Sequence, residues 1–401
     1  MKLFFATLSF IVVFLASMAD AYSHALEGRG QDSPKNHQEN HQENLGVRVR
    51  LFKNLQEITI IGQVLRYQSE EPRYETVAIP RQQTLKLTLR KKDGKSFWSV
   101  QASGGPERLL VDEEILVRGE GMRIDGKAVP RHILIQKVAN QKMDVVGLVP
   151  LDDYIVGVLA SEMPLSWPLE TLKAQAVAAR SYALAVIEER KSKRFHVESS
   201  VMDQVFRPIV EGEKNHALVQ KAVQAVAETK HLKLYMKNSP RVLKAFFHAD
   251  CGGKTTTAKS VWNSSVNSGV TLDSSCPTSP SANWSLKLSK VEMASRLKLP
   301  DFSSISLIRD AVAGRIQSVK VALLDSKEKV FSANEFRQLL GFQELKSSLF
   351  EIHSHRDGFD FQGKGFGHGV GLCQWGSRHL GKKGYSFRQI LKHYYPLAEV
   401  R

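Results

Sequence analysis

Three stretches of this chain bring together residue types that can do chemistry. The first reads ASEMPLSWP over residues 160–168. It holds one carboxylate, Glu162, between Ser161 and Met163, with Pro164, Trp167 and Pro168 close behind. Apolar neighbours desolvate a carboxylate, which favours its neutral form and raises its pKa. A carboxyl group still protonated near neutrality is what general acid catalysis requires. The competing reading is a solvated loop carboxylate, the usual place of a glutamate.

The second stretch, GKGFGHGVGLCQWGS at 363–377, has glycine at 363, 365, 367, 369 and 371. Backbone without Cβ atoms can approach a ligand or another chain closely. A phosphate loop is excluded, because no Lys-Ser/Thr ends the run and no G-x-G-x-x-G spacing fits. A nucleophile elbow is excluded as well, since the stretch lacks G-x-S-x-G. What remains is a glycine-lined wall around Gly367, His368 and Gly369, followed by Gln374 and Trp375. An amide and an aromatic beside such a wall suit a sugar ring. The rival is a tightly packed strand that needs glycine for space alone.

The third stretch is HADCGGKTT at 248–256. His248 and Cys251, joined by Cys276, would make a set of soft zinc ligands. Against this stands a Cys251–Cys276 disulfide beside an ordinary histidine. The two cysteines flank a Ser/Thr/Asn-rich stretch, and an exported chain meets an oxidising compartment, so the disulfide is the preferred expectation. The chain has three cysteines, which leaves Cys373 as a buried thiol.

Export is read from the N-terminus, MKLFFATLSFIVVFLASMADA. Lys2 supplies the positive start, Leu3 to Leu15 an apolar run, and Ala19-Asp20-Ala21 a small-x-small cleavage pattern. That pattern is a signal peptide over residues 1–21, and the run is short for a span of about 20 residues. No cysteine near the cleavage point offers a lipid attachment site. Residues 22–45, with the tandem HQENHQEN, read as a disordered polar linker. The formal net charge is +15. No Lys/Arg block interleaved with aromatics accompanies it, so nucleic acid is not the expected partner. For an exported chain the nearest anions are cell-wall polymers and membrane surfaces.

The elements that must position these residues fall into two parts of one long unit, 46–401. From 46 to 145 the texture is β: VRVRLF and LKLTLR alternate in polarity, and Asp93-Gly94 and Asp125-Gly126 mark hairpin turns. From 146 onward the chain should carry the catalytic core. A helix is expected from about Pro168, with Leu169, Leu172, Ala176, Ala179, Ala183 and Ile187 along one face. Another is expected at 213–229 with Val219, Val223 and Val226 buried, then a strand through LKAFFHAD, and short helices starting near Ser289, Ser332 and Ser386. Without regular βαβ alternation, the class is α+β.

The segments DDYIVGVLASEMPLSWPLETLKAQAVAARSYAL, MDQVF, AFFHADCGGKT with VW, GHGVGLCQWGS and ILKHYYP stand in the order and spacing of the SpoIID/LytB family. Over most of residues 46–400 the chain resembles a stage II sporulation protein D-like cell-wall protein, which implies a SpoIID-like mixed fold. The resemblance implies a lytic transglycosylase acting on peptidoglycan glycan strands, preferably stripped of stem peptides, with Glu162 as the catalytic acid. It assigns Tyr154, Ser161, Met163, Trp167, Arg180, Gln204, Gln374 and the glycine wall of Gly367, His368 and Gly369 to the substrate-binding site, with Met163 and Trp167 holding the acid stiff and dry and Tyr154 and Arg180 as supports. Other members enhance a cell-wall amidase, which makes a non-catalytic wall-binding activator the alternative. Some members hold a structural zinc near H-x-x-C-G-G, here His248 and Cys251, while Cys373 departs from the serine of sporulation members. The implied location is the periplasm or the cell wall.

Overall fold

Alternating apolar residues and two Asp-Gly turns dictate the first half of the computed structural model, which describes residues 46–68, 83–273 and 279–401. Strands β1 (Val47–Leu55), β2 (Glu57–Gln68), β3 (Gln83–Lys92), β4 (Lys95–Ala102), β5 (Glu107–Leu110), β6 (Glu114–Ile124), β7 (Lys127–Ala128), β8 (His132–Val138) and β9 (Lys142–Val149) pair antiparallel. With β10 (Val197–Glu198) they form one sheet in the order β10-β1-β9-β8-β6-β2-β3-β4-β5, β7 pairing β6. Asp93 and Gly94 have φ of 52° and 79°, and Asp125 and Gly126 of 49° and 73°. Those are the left-handed conformations that a two-residue hairpin turn demands. Inward residues such as Ile60, Leu87, Trp98, Ile115 and Ile135 make the core of this part.

The second half begins with a helix that the sequence reading did not anticipate. Residues LDDYIVGVLASE form α1 (Leu151–Glu162), so Glu162 ends a helix instead of sitting in a free turn. Tyr154, Ile155, Val156, Val158 and Leu159 are all buried, so the helix is apolar on nearly every side and shows no amphipathic period. Pro164 and Pro168 then separate it from α2 (Leu169–Glu189), where Pro168 is the residue just before the first helical one. Ala176, Ala179 and Ala183 are fully buried there, and small side chains allow close helix packing. Next come α3 (Glu211–Lys214) and α4 (Ala217–Ala227). Val219 and Val226 are buried as expected, but Val223 is 40% exposed and Ala222 and Ala225 take the core face instead.

The expected strand through LKAFFHAD shrinks to β12 (Phe247–His248), after β11 (Leu234–Met236) and before α5 (Ala258–Trp262). Residues 281–371 carry two small antiparallel sheets, β13 (Trp284–Ser289) with β17 (Phe350–His355) and β18 (Gly358–Gly363), and β14 (Phe302–Arg309), β15 (Ile316–Leu323) and β16 (Glu328–Ser332). Helices α6 (Lys290–Leu297) and α7 (Ala333–Leu340) cover them around a core that includes Met293, Phe302, Phe336 and Phe361. The chain closes with β19 (Leu372–Cys373), α8 (Gln374–Lys382), α9 (Phe387–Tyr394) and β20 (Ala398–Val400), which pairs β11. Ser289, Ser332 and Ser386 cap α6, α7 and α9, each hydroxyl accepting the N–H three residues on.

Gly46–Arg401 forms one compact unit. No helix among the described residues is long and apolar enough to cross a membrane. The expected signal peptide, the polar linker and Cys276 lie outside the described residues.

Candidate active site

The C-terminal end of α1 delivers Glu162 to a cleft of about 600 Å³. One glycine makes this possible: a Cβ on Gly157 would sit 2.4 Å from the Arg207 carbonyl oxygen and 2.5 Å from the Phe206 ring. Without it the 203–207 segment lies flat on α1. Tyr154 stacks on Phe206 at 5.1 Å, and its hydroxyl donates to Gln204 Oε1 at 2.9 Å. The segment so fixed donates the Val205 N–H to Glu162 Oε1 at 2.7 Å. Burial raises the Glu162 pKa above its ordinary value, and the Val205 N–H and the Gln374 amide only partly offset this. Gln374 faces the carboxylate from the first turn of α8, and its buried Nε2 has no hydrogen-bond partner at normal geometry among the described residues. An acid with a raised pKa and an amide that faces it therefore meet in one cleft.

Aromatic rings line the same cleft. Phe246 stacks on Trp262 at 4.7 Å, and the His368 ring lies 4.9 Å from Trp262. Burial above all, with the neighbouring Arg337 and Arg315 charges adding to it, holds His368 well below its ordinary pKa, so it is neutral. Its Nδ1 accepts the Val370 N–H at 3.0 Å, which leaves the ring proton on Nε2. Asp203 joins two further lining residues, accepting from Tyr182 Oη at 2.9 Å and Arg190 Nη1 at 2.7 Å.

Of the residues expected at the sugars, Ser161, Gly367, His368 and Gln374 line the cleft beside Glu162. Tyr154 and Gln204 are fully buried behind it and hold the 203–207 segment. Met163 and Trp167 lie in the core, Trp167 edge-on to Trp375 at 5.1 Å. Arg180 is 2% exposed and donates to the carbonyls of Val226 and Thr229, so it ties α2 to the end of α4. Gly369 does not face the cleft; its φ is +81° and an added Cβ would meet the Arg315 guanidinium at 2.4 Å. The glycine wall is thus reduced to Gly367 among the named glycines, and the others answer to backbone conformation and packing. The sequence reading missed Trp262, Phe246 and the Val205 N–H. Trp262 had a signal in the VW pair, as an aromatic side chain that the fold leaves 37% exposed. A backbone donor leaves no side-chain signal at all.

A second cluster adjoins the cleft. Strands β12 and β19 pair parallel and set His248 against Cys373. Ligand atoms of His248, Cys251 and Cys373 all lie within 4.8 Å of one another, and the three residues are buried. The His248 Nδ1 lies 3.1 Å from the Val370 carbonyl, which fixes the proton there, and Nε2 is left without a hydrogen-bond partner among the described residues. Both sulfurs accept backbone N–H groups, Cys373 Sγ from Cys251 and Gly376 at 3.3 and 3.4 Å, Cys251 Sγ from Gly253 at 3.4 Å. A buried bare imidazole nitrogen beside two N–H-supported sulfurs fits a zinc-type ligand set. Cys373, expected as a solitary thiol, belongs to this cluster, while the expected partner Cys276 is outside the described residues.

A desolvated acid, an amide and an aromatic wall on an α+β scaffold define a cleft with the chemistry for sugar rings. Residues 139–235 match the stage II sporulation protein family, and 281–371 match a domain of unknown function. The chain is 30% identical over 286 residues to the stage II sporulation protein D of Bacillus subtilis, covering 68% of this chain and 80% of that protein. It is 34% identical over 267 residues to an uncharacterized protein of Brachyspira hyodysenteriae, covering 65% and 69%. An amidase enhancer of Bacillus subtilis is 27% identical over 292 residues, 60% of this chain but 39% of that protein. The chain belongs to the SpoIID/LytB family.

Proposed function

We propose that this protein is an exported lytic transglycosylase that cleaves peptidoglycan glycan strands between N-acetylmuramic acid and N-acetylglucosamine. Its family gives it a cell-wall role. The observation that carries the finer reading is Glu162, its pKa raised by burial, in a cleft with aromatic rings and the Gln374 amide facing the carboxylate. Protonated Glu162 gives its proton to the glycosidic oxygen as the C1–O bond breaks. The muramyl 6-hydroxyl closes on C1, its proton returns to Glu162, and a 1,6-anhydro end results without water. One carboxylate serves both proton transfers, where ordinary glycosidases use two. Gln374 and His368 are placed to orient sugar hydroxyls, and Phe246 and Trp262 to pack a ring face.

Mass spectrometry of peptide-free strands incubated with the protein tests this. Anhydromuramyl ends are expected, and Glu162→Gln should slow their release by about 10²–10⁴-fold. Reducing ends alone would mean hydrolysis, and unchanged cleavage by the Gln variant would remove Glu162 from the mechanism. The amidase-enhancer relative supports a second reading, a wall-binding activator; strands left intact while a cell-wall amidase is accelerated would select it.

The same proposal includes a structural zinc on His248, Cys251 and Cys373. The metal would tie β12 to the first turn of α8, the turn that aims Gln374 at Glu162. Bound there it contributes rigidity; the proton transfers belong to Glu162.

A further inference from the structure

Three cationic side chains of Lys or Arg line the Glu162 cleft among the described residues: Arg190, Lys244 and Arg337. Two are already neutralised. Arg190 pairs with Asp203 at 2.7 Å, and Lys244 with Glu189 at 2.6 Å. Arg337 stands differently. It is 4% exposed, and among the described residues its guanidinium has no carboxylate partner. Nε donates to the Leu345 carbonyl at 3.0 Å and Nη2 to the Lys346 carbonyl at 2.7 Å, with the group 4.9 Å from the Phe342 ring centroid. Carbonyls orient a guanidinium but do not cancel its charge, and an uncompensated buried charge is costly.

Arg337 comes from α7, within the 281–371 segment whose family match carries no function. Asn334, Phe342 and Gln343 of the same segment reach the cleft with it. The 281–371 segment therefore supplies part of the lining of a cleft whose acid comes from α1. Burial, and then the nearby Arg315, press the Arg337 pKa down to about 9, as an arginine without a counter-ion requires.

We infer that Arg337 is a specificity-determining residue, which recognises a carboxylate on the sugar seated in the Glu162 cleft. The inference rests on the glycan reading above. Within a muramyl strand the carboxylate is that of the lactyl ether, free when no stem peptide is attached and an amide when one is. A guanidinium fork matches a carboxylate in shape and charge. A neutral amide cannot supply that charge, so the 281–371 segment would make the cleft sense whether the lactyl group is bare.

The test measures binding, not cleavage, using the full chain carrying Glu162→Gln. Calorimetry compares a muramyl disaccharide bearing the free lactyl carboxylate with the same disaccharide as its lactyl carboxamide. A preference for the acid of about tenfold to a hundredfold is expected, the range for a hydrogen-bonded ion pair out of water. Arg337→Met should erase the preference while keeping the carboxamide affinity, and Arg337→Lys should keep part of it. Since Arg337 also holds the 345–346 carbonyls, melting curves decide which variant is folded, and the Lys variant serves if the Met variant is not. Equal binding of acid and carboxamide by the parent protein, or an unchanged preference in a folded variant, overturns the role of Arg337 and leaves the glycan reading standing. Binding of neither disaccharide overturns both.

Discussion

Glu162 is held in a state that costs the folded protein something. Its pKa is raised because burial penalises the charged form. The folded state therefore binds the proton more tightly than the unfolded chain. The stabilisation this brings is fully present below the ordinary value of 4.5 and is lost as pH rises through the raised folded value. Glu162→Gln should melt above the parent protein at neutral pH, and the gap should narrow as pH falls through the raised value and be closed below about 4.5. Melting curves across that range check it; a gap independent of pH would mean the carboxylate is not desolvated. If Glu162 is the general acid, activity should fall as pH rises through the same window, since the acid must be protonated to act. Gly369 carries the second residue-scale prediction. A methyl there meets the Arg315 guanidinium at 2.4 Å in a backbone with φ of +81°. Gly369→Ala should lose about 1–3 kcal/mol of stability, with glycan binding per folded molecule unchanged. An unchanged melting temperature with weakened binding would restore Gly369 to the sugar wall.

Elements were legible where their ends carry local chemistry and illegible where only tertiary contact decides. Ser289, Ser332 and Ser386 each announced a helix, because a hydroxyl that accepts an N–H three residues on is a property of the sequence itself. The Asp-Gly turns were legible for the same reason. Helix α1 was hidden, because a helix buried on nearly all faces has no period to read, and its β-branched residues Ile155, Val156 and Val158 favour strand by propensity. The pairing of β12 with β19 was hidden as well, being two residues long with its partners over a hundred positions apart. So short a ladder gives little stability alone. That is why the His248, Cys251 and Cys373 cluster matters at this scale. Purified under reducing conditions, the chain is expected to hold about one zinc, with a chelator lowering its melting temperature. Cys373→Ala and His248→Ala should each weaken zinc retention at least tenfold. A chain that takes up no zinc after reduction and reconstitution rules the metal out.

Across the whole molecule, the cleft draws on 161–162, 182–205, 244–266, 334–343 and 366–374, segments that no local pattern connects. Family motifs named several of these, but nothing in the sequence announced that 334–343 joins them, since Arg337 reads as one basic residue on an amphipathic helix. The β-rich part poses the same question of separability. Val47 and Val49 of β1 and Val149 of β9 belong to one core cluster with Tyr154, Leu159, Leu172 and Ala176. β10, from the second half, extends the sheet beside β1, and the His196 and Ser199 N–H groups donate to the Arg48 and Arg50 carbonyls at 2.8 and 3.1 Å. Arg50 also pairs with Asp144 at 3.0 Å and with Glu198, so its charge bridges the two parts. Deleting residues 46–145 would expose the core face of α1 and α2 and strip β10 of its partner. Each buried valine is worth about 1.5–3 kcal/mol, so losing Val47 and Val49 alone removes about 3–6 kcal/mol. Net stabilities of whole domains are only about 5–15 kcal/mol. A chain starting at residue 146 should therefore show no cooperative thermal transition and should bind no glycan fragment, even though it keeps Glu162, Gln374 and Arg337. Circular dichroism melts of the two chains decide this. A truncated chain that melts cooperatively within a few degrees of the parent would show that the β-rich part is an appendage, with the second half carrying a complete core of its own.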